Sequence, residues 1–388
     1  MRAILADACL DRGRRVAEPD LSVTVYLGPN HDLLHCLRLY TGLIELEEKG
    51  EIRLWFRRPK PSERALAKFD HAICARVHSR ERDRSWLLGF DVSDHAFWFR
   101  QEVLKACDFY FKRSFYRPDM VKLPLDLAAK VVPFGLNFAA RRPNTARVLP
   151  RILLGRPSRY VRSPLKAIRR LRQQAAIFAV SPTPEAFEVR PSQPLDDVIL
   201  LQTRVYAPGD YNGDVWALND ERVALVRSLR AHFGQRFQGG VVRDEFSLQH
   251  YGDCVTSLPS RPKEFISWSK RALIGIYTPG LYESIAFKLP EYLAGSKCIL
   301  APTLRNELPA PLVPGKHYLS FTTVEQCVSL CDDLLSSPQR ARELREAAWE
   351  YYTAEVQPAA QMRRCLLRAV NSDSQGATAK ESRETQLK

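Results

Sequence analysis

The chain has no apolar run approaching the roughly 18–20 residues of a transmembrane helix, so a membrane-spanning protein is not expected. Its opening stretch MRAILADACLDRGRR is too briefly apolar for a secretory leader and carries its basic residues on the wrong side. Nine cysteines occur without a single C-x-x-C pair, and their odd number argues against a complete disulfide framework; a reducing, cytoplasmic setting is expected. No internal repeat is visible. Nor is there a glycine-aromatic RNP pattern, a zinc finger or a helix-turn-helix signature, so nucleic acid is not an expected partner. The most local lack is of acid: from Arg141 to Pro184 there is none.

That same stretch holds eleven Arg or Lys between Arg141 and Arg172, interleaved with apolar residues such as Leu153, Leu165, Ile168 and Leu171. With a net charge of +14, the chain calls for an anionic partner. Basic side chains near an anionic leaflet contribute about 1 kcal/mol each while apolar neighbours enter the headgroup region. Residues 141–172 therefore read either as a contact to an anionic membrane surface or as a solvated basic linker. The first reading places the protein peripherally on the inner face of the cell membrane.

A length of 388 residues, 45% hydrophobic and 26% charged, fits two soluble α/β domains. LSVTVYLGP is a β-branched strand closed by Gly28, and HDLLHCLRLYTGLIELEEKG follows with helical spacing. EIRLWFR, HAICARVHS, SWLLGFDVS and DFYFKRS then alternate with polar or helical intervals, which predicts a parallel sheet. Open α/β sheets bind ligands at the carboxyl ends of their strands, so Gly28, Asn30, His31, Asp91 and Asp94 are candidates for facing a cleft between domains. Asp91 and Asp94 suit orientation or deprotonation of an acceptor hydroxyl, or else strand-end capping. Lys112 and Arg113 close an aromatic strand and read as ligand contacts or as packing. His31 and His35, four apart with an acid between them, imitate a zinc-protease helix; with no third ligand visible, helix packing or contact with an acceptor is expected. Cys327 and Cys331 lack partners for zinc on the same grounds.

The expected boundaries are residues 1–140 for a first, acceptor-side domain, 141–190 for the basic segment and 191–356 for a second domain. Residues 357–370 form a terminal helix returning to the first domain, and 371–388 a disordered polar tail. The second domain opens with VILLQTRVY, a continuous apolar run of a buried strand ending at Arg204.

The densest signal is TPGLYESIAFKLPEYLAGSKCILAP, where seven residues separate Glu283 from Glu291 across a turn-to-helix junction. Pro290 is tolerated only in the first turn of a helix, so that helix begins no earlier than about Phe287 and Glu283 lies in the entry loop. Free amides at such a helix start, reinforced by the peptide dipole, attract anions such as a diphosphate. This segment resembles the signature of the retaining GT-B glycosyltransferases of the group 1 type, in a bacterial form with an ESIxxKxxEYLA-like helix. The likeness extends over about residues 195–335. Ser284, Ile285 and Ala286 stand where that family has glycines.

The resemblance implies two Rossmann-like domains around a cleft and a nucleoside diphosphate sugar as donor substrate. It implies Glu283 on the transferred sugar, Glu291 on the ribose and Arg204 on the diphosphate. Gly280, Tyr282, Ser284, Ile285 and Lys288 would complete the donor site, Lys288 replacing a lysine that VYAPGDYNGD lacks. Neither a cofactor nor a metal is expected. The acceptor would be a glycan or a lipid-linked hydroxyl in cell-surface assembly. The rival reading is a non-catalytic membrane- or polyanion-binding protein of the same shape.

Overall fold

The computed structural model describes residues 19–28, 30–153, 164–210 and 215–372. Part of the basic segment, including Arg159 and Arg162, and nearly all of the polar tail fall outside the described residues.

The first domain is built on six strands: β1 (Leu21–Tyr26), β2 (Ile52–Arg57), β3 (Ala72–Ser79), β4 (Arg84–Asp91), β5 (Phe109–Lys112) and β6 (Val131–Pro133), in the spatial order β2-β1-β3-β4-β5-β6. The sheet is not wholly parallel. β3 runs antiparallel to both β1 and β4, with Tyr26 opposite Cys74 and Ala72 opposite Asp91. The reason is the length of the connection. Only Arg80–Asp83 separate β3 from β4, whereas a parallel return needs a crossover of about a dozen residues or more. Asp83 takes the left-handed conformation (φ 44°) that closes this hairpin, a conformation Asp enters more readily than most residues. The expected parallel sheet is corrected accordingly.

Helix α1 (Leu33–Glu48) is capped by Asp32, whose side chain accepts from the Leu34 amide at 3.2 Å. It is buried almost all round from Cys36 to Leu46 because a second helix lies across it. That helix is the terminal one (Pro358–Val370), which contributes Ala359, Met362, Cys365, Leu366 and Ala369 to the first domain's core. Gly42 permits the crossing: a Cβ there would meet the Pro358 carbonyl oxygen at 2.3 Å.

The basic segment is only partly a linker. Val148 and Ile152 are buried in the first core, and Arg142 and Arg147 pair with Glu45 and Glu47 of α1. Helix α2 (Pro164–Val180) then lies over the N-terminus of α1, where the Gln174 side chain accepts from the Leu33 amide at 2.9 Å. Its outer face leaves Leu165 and Ile168 exposed beside Lys166, Arg169 and Arg172.

The second domain has five strands, all parallel: β7 (Asp196–Thr203), β8 (Phe237–Val241), β9 (Ala272–Ile276), β10 (Cys298–Ala301) and β11 (Leu319–Ser320), in the order β11-β10-β9-β7-β8. Helix α3 (Val215–Phe233) connects β7 to β8, and α4 (Lys288–Ala294) leads into β10. The chain moves outward from β7 to β8 and then returns to the other side of β7 with β9. The strand order therefore reverses between β7 and β9, which is where doubly wound sheets open a crevice for ligands.

Candidate functional site

Two loops leave the carboxyl ends of β7 and β9 at that reversal. The first carries Arg204 and the second runs Pro279–Glu283, and Thr203 and Thr278 lie between them with hydroxyls 3.4 Å apart. Arg222 of α3, almost fully buried, donates to the carbonyls of both Arg204 and Pro279 and stands over the Tyr206 ring at 5.2 Å. It positions the two loops together, and nothing in local sequence marks it out from the other arginines of its helix. Arg204 itself is exposed, and among the described residues its guanidinium has no hydrogen-bond partner. A free guanidinium there offers paired, charge-assisted hydrogen bonds to a phosphate.

The second loop is strained. Tyr282 and Glu283 both have positive φ, 57° and 54°, and neighbouring non-glycine residues hold this conformation only when their surroundings impose it. Several bonds do so. The Gly280 amide donates to the Ser284 carbonyl (2.8 Å), Asn306 donates to the Glu283 carbonyl (2.9 Å), and the Tyr277 hydroxyl accepts from the Ala286 amide (3.1 Å). The turn holds the Glu283 carboxylate out of the protein, 63% exposed, with Arg305 at 2.5 Å. Glu291 is 14% exposed and takes a bond from Lys288 Nζ at 2.7 Å; that ammonium also stands 3.8 Å above the Phe265 ring. Lys288 is thus tied to Glu291 rather than free.

Helix α4 starts at Lys288, behind an N-terminal Phe287. Of the amides before Pro290, Ala286 is bonded to Tyr277 and Leu289 to the Ala286 carbonyl, so the helix start offers a phosphate less than its spacing suggests. Ile285 is corrected as a donor-site side chain: it is buried in the second domain's core, and its carbonyl accepts from Arg113 at 2.7 Å. Ser284 is also buried and serves the turn through its backbone.

Opposite stand the carboxyl ends of the first sheet. Arg113 crosses the cleft to Ile285, lies over the Phe287 ring at 5.1 Å and binds Asp94 at 2.6 Å. Asp94 is 41% exposed, open enough to meet a substrate. Burial works to raise its pKa, but Arg113, His35 and His71 hold it below the usual carboxylate value.

Asp91 is not available. It has no exposed surface and accepts from Lys112 (2.8 Å), Tyr110 (2.6 Å) and the Ser93 hydroxyl (2.6 Å), so every direction for a proton or a substrate is taken. Burial works against its charge, yet Lys112 keeps it ionised. His31 is likewise corrected. It is buried with Nδ1 2.6 Å from the Tyr40 hydroxyl, and burial pushes its pKa down to about 4, leaving a neutral core imidazole. Asn30 donates to the Lys68 carbonyl at 2.6 Å and accepts from Arg170, which commits it to loop structure. Gly28 packs so closely that a Cβ would meet the Ala67 carbonyl oxygen at 2.0 Å.

His35, not His31, looks into the cleft. Its ring meets Phe287 edge-on at 5.6 Å, its Nδ1 lies 2.7 Å from Asp32 Oδ2, and His71 Nε2 reaches the same oxygen at 3.3 Å. Burial would raise the Asp32 pKa, but the bonds from His35 and His71 hold it far below the carboxylate range. Burial would lower that of His71, but Asp32 and Asp70 lift it to about 9. His71 thus joins Asp32 and His35, while His31 stays apart on Tyr40. His71 precedes β3, and because β3 is antiparallel its first residue lies beside the carboxyl ends of β1 and β4. In a parallel sheet it would stand at the opposite edge. At the rim, His95 stacks on Trp98 (4.3 Å) and meets Tyr282 (4.2 Å), making an aromatic shelf that joins the two domains, with Phe97 and Trp98 exposed.

No protein-family model matches the chain, and no curated protein matches it. Among solved structures it is similar to the C-terminal domain of a glycosyl transferase group 1 family protein (LpcC) from Francisella tularensis: 10% identity over 44% of this chain and 96% of that one, TM-score 0.31. It is also similar to an alpha1,3-fucosyltransferase with GDP, at 8% identity over 87% and 84% of the two chains, TM-score 0.37. A third likeness is to UDP-GlcNAc 2-epimerase from Neisseria meningitidis, at 11% identity and TM-score 0.34, where 69% of this chain spans 63% of that structure, under two thirds of its length. Overlaps this low transfer neither an activity nor a ligand.

Proposed function

We propose that the chain transfers a sugar from a nucleoside diphosphate donor to a hydroxyl acceptor, with retention of anomeric configuration. The observation that carries this reading is the meeting, at the strand-order reversal of a parallel sheet, of an exposed Arg204, whose guanidinium has no partner among the described residues, with the strained turn that leaves Glu283 mostly exposed.

Arg204 holds the diphosphate and stabilises the charge that grows on it. Glu283 orients the donor sugar and favours oxocarbenium-like charge at the anomeric carbon. Glu291, with Lys288 on one carboxylate oxygen, fixes the ribose through the other, while Gly280, Tyr282 and Ser284 shape the loop around the donor. The bond from anomeric carbon to phosphate oxygen breaks, the acceptor oxygen bonds that carbon from the same face, and the hydroxyl proton passes to the departing phosphate. No protein base is required for that transfer. Donors aimed at the departing phosphate do the electrostatic work. Asp94 and the aromatic shelf at Trp98 suit an acceptor built of sugars, polar at its hydroxyls and apolar across its ring faces.

The exposed Leu165 and Ile168 beside Lys166, Arg169 and Arg172 support peripheral contact with an anionic leaflet and an acceptor carried on a lipid or a surface glycan. A thermal-shift screen against UDP-, GDP- and ADP-sugars tests the core of the reading: one nucleotide sugar is expected to stabilise the chain, and NMR of the product to show the donor's anomeric configuration. An inverted product removes retention. No stabilisation by any donor, together with tight vesicle binding, leaves a non-catalytic membrane protein instead.

A further inference from the structure

We propose that Asp32, His35 and His71 form a binding site for a first-row transition metal of the zinc(II) class in the first-domain wall of the cleft. The proposal stands apart from the sugar-transfer reading, which assigns none of the three.

The geometry is convergent. One ligand atom from each residue lies within 4.8 Å of the others. His71 Nε2 is 3.3 Å from Asp32 Oδ2, close to the roughly 3.3 Å separating two ligands of a tetrahedral ion with bonds of about 2.0–2.1 Å. The other Asp32 oxygen, Oδ1, is occupied as the cap of α1, so Oδ2 is the one presented. Asp70 Oδ1 lies 3.4 Å from His71 Nδ1, the outer carboxylate that commonly fixes the ring of a metal-bound histidine and raises its basicity. Asp70 is itself steadied by Arg100 at 3.5 Å, and its carbonyl accepts from the Asp32 amide at 2.9 Å, which staples the two ligand-bearing segments together.

The ligand set chooses the ion. Two imidazoles and one carboxylate suit zinc and its first-row neighbours, whereas calcium and magnesium take oxygen-rich sites. Asp32 and Asp70 supply two negative charges against a dication. Three protein ligands leave a coordination position for water or for a substrate hydroxyl or phosphate oxygen, and the three side chains are half-buried, with His35 turned toward Phe287 of the second domain.

The test uses the full chain, stripped with a chelator and titrated with Co(II) while its visible absorption is followed. One Co(II) per chain is expected, displaced stoichiometrically by Zn(II). His35→Asn and His71→Asn are each expected to abolish the signal, and Asp70→Asn to weaken binding by about 10–100-fold. His232→Asn, in the exposed pair with Asp332 at 2.8 Å, is expected to change nothing. Circular dichroism of each variant separates a lost site from a lost fold, and if one histidine variant fails to fold the other decides. Absence of a Co(II) spectrum, or a spectrum that survives both histidine variants, overturns the proposal and leaves a hydrogen-bonded histidine–aspartate network. Neither result touches the nucleotide-sugar screen, which is read without added metal.

Discussion

The two sheets solve the same problem differently. In the second domain five parallel strands place every carboxyl end on one edge, so Arg204 and Glu283 reach the cleft on loops a few residues past β7 and β9. In the first, one antiparallel strand interrupts the series and delivers the beginning of β3 to that edge, so His71 joins Asp32 and His35. The charged groups differ in kind as well. Asp91 and Lys112, paired at the carboxyl ends of β4 and β5, are sealed, while Glu283 and Arg204 in the second are open. A charged group near a strand's carboxyl end is therefore open or sealed according to what covers it.

If that contrast is right, substitutions in the first sheet damage the fold and those in the second damage transfer. The largest effect is expected at the sealed pair. Lys112→Met leaves a buried Asp91 without its counter-ion and is expected to cost about 3–5 kcal/mol in denaturant unfolding. A loss under about 1 kcal/mol would break the comparison. Glu283→Gln is expected to lower turnover about 100–1000-fold, the scale of removing one transition-state electrostatic group, with unfolding unchanged because the side chain is mostly exposed. Unchanged turnover would remove Glu283 from the chemistry.

His31 gives the pH test. Its pKa is about 4 in the fold against 6.5 when free, so between these values the unfolded chain binds more protons and stability rises with pH. Stability is expected to fall by roughly 3 kcal/mol as pH drops from 6.5 to 4, and His31→Gln to flatten that part of the profile. Glu291→Gln, which removes half of a carboxylate–lysine pair, is expected to raise the donor KM about tenfold with kcat little changed; a change confined to kcat would move Glu291 to the reacting centre. Smallest are the surface charges. Lys166→Gln, Arg169→Gln and Arg172→Gln are each expected to cost about 1 kcal/mol of binding to anionic vesicles in a cosedimentation assay, and unchanged binding removes the leaflet contact.

Much of the local structure around Arg204, Glu283 and Glu291 was legible because it depends on short stretches of chain. Pro290 fixes where α4 begins, a strand-length apolar run ends at Arg204, and the resemblance at Glu283 and Glu291 rests on one continuous segment. The environments of the charged groups at the end of the first sheet were not legible, because each depends on burial. Asp91 and Asp94 are three residues apart and look alike in sequence, yet Tyr110, Lys112 and Ser93 enclose the first while Arg113 holds the second at the surface. His31 and His35 are one helical turn apart, and the fold turns the first onto Tyr40 and the second onto Phe287.

By itself the sequence determined which stretches are strands and helices, since periodicity, proline and glycine act over a few residues. It also determined the excess of basic charge. Tertiary structure alone decided strand direction in the first sheet, the pairing of Arg142 and Arg147 with α1, and the meeting of His71 with Asp32. Those outcomes depend on which side chains distant in the chain share a dry interior, and the free energy of burying a charge is set by neighbours that local spacing does not specify.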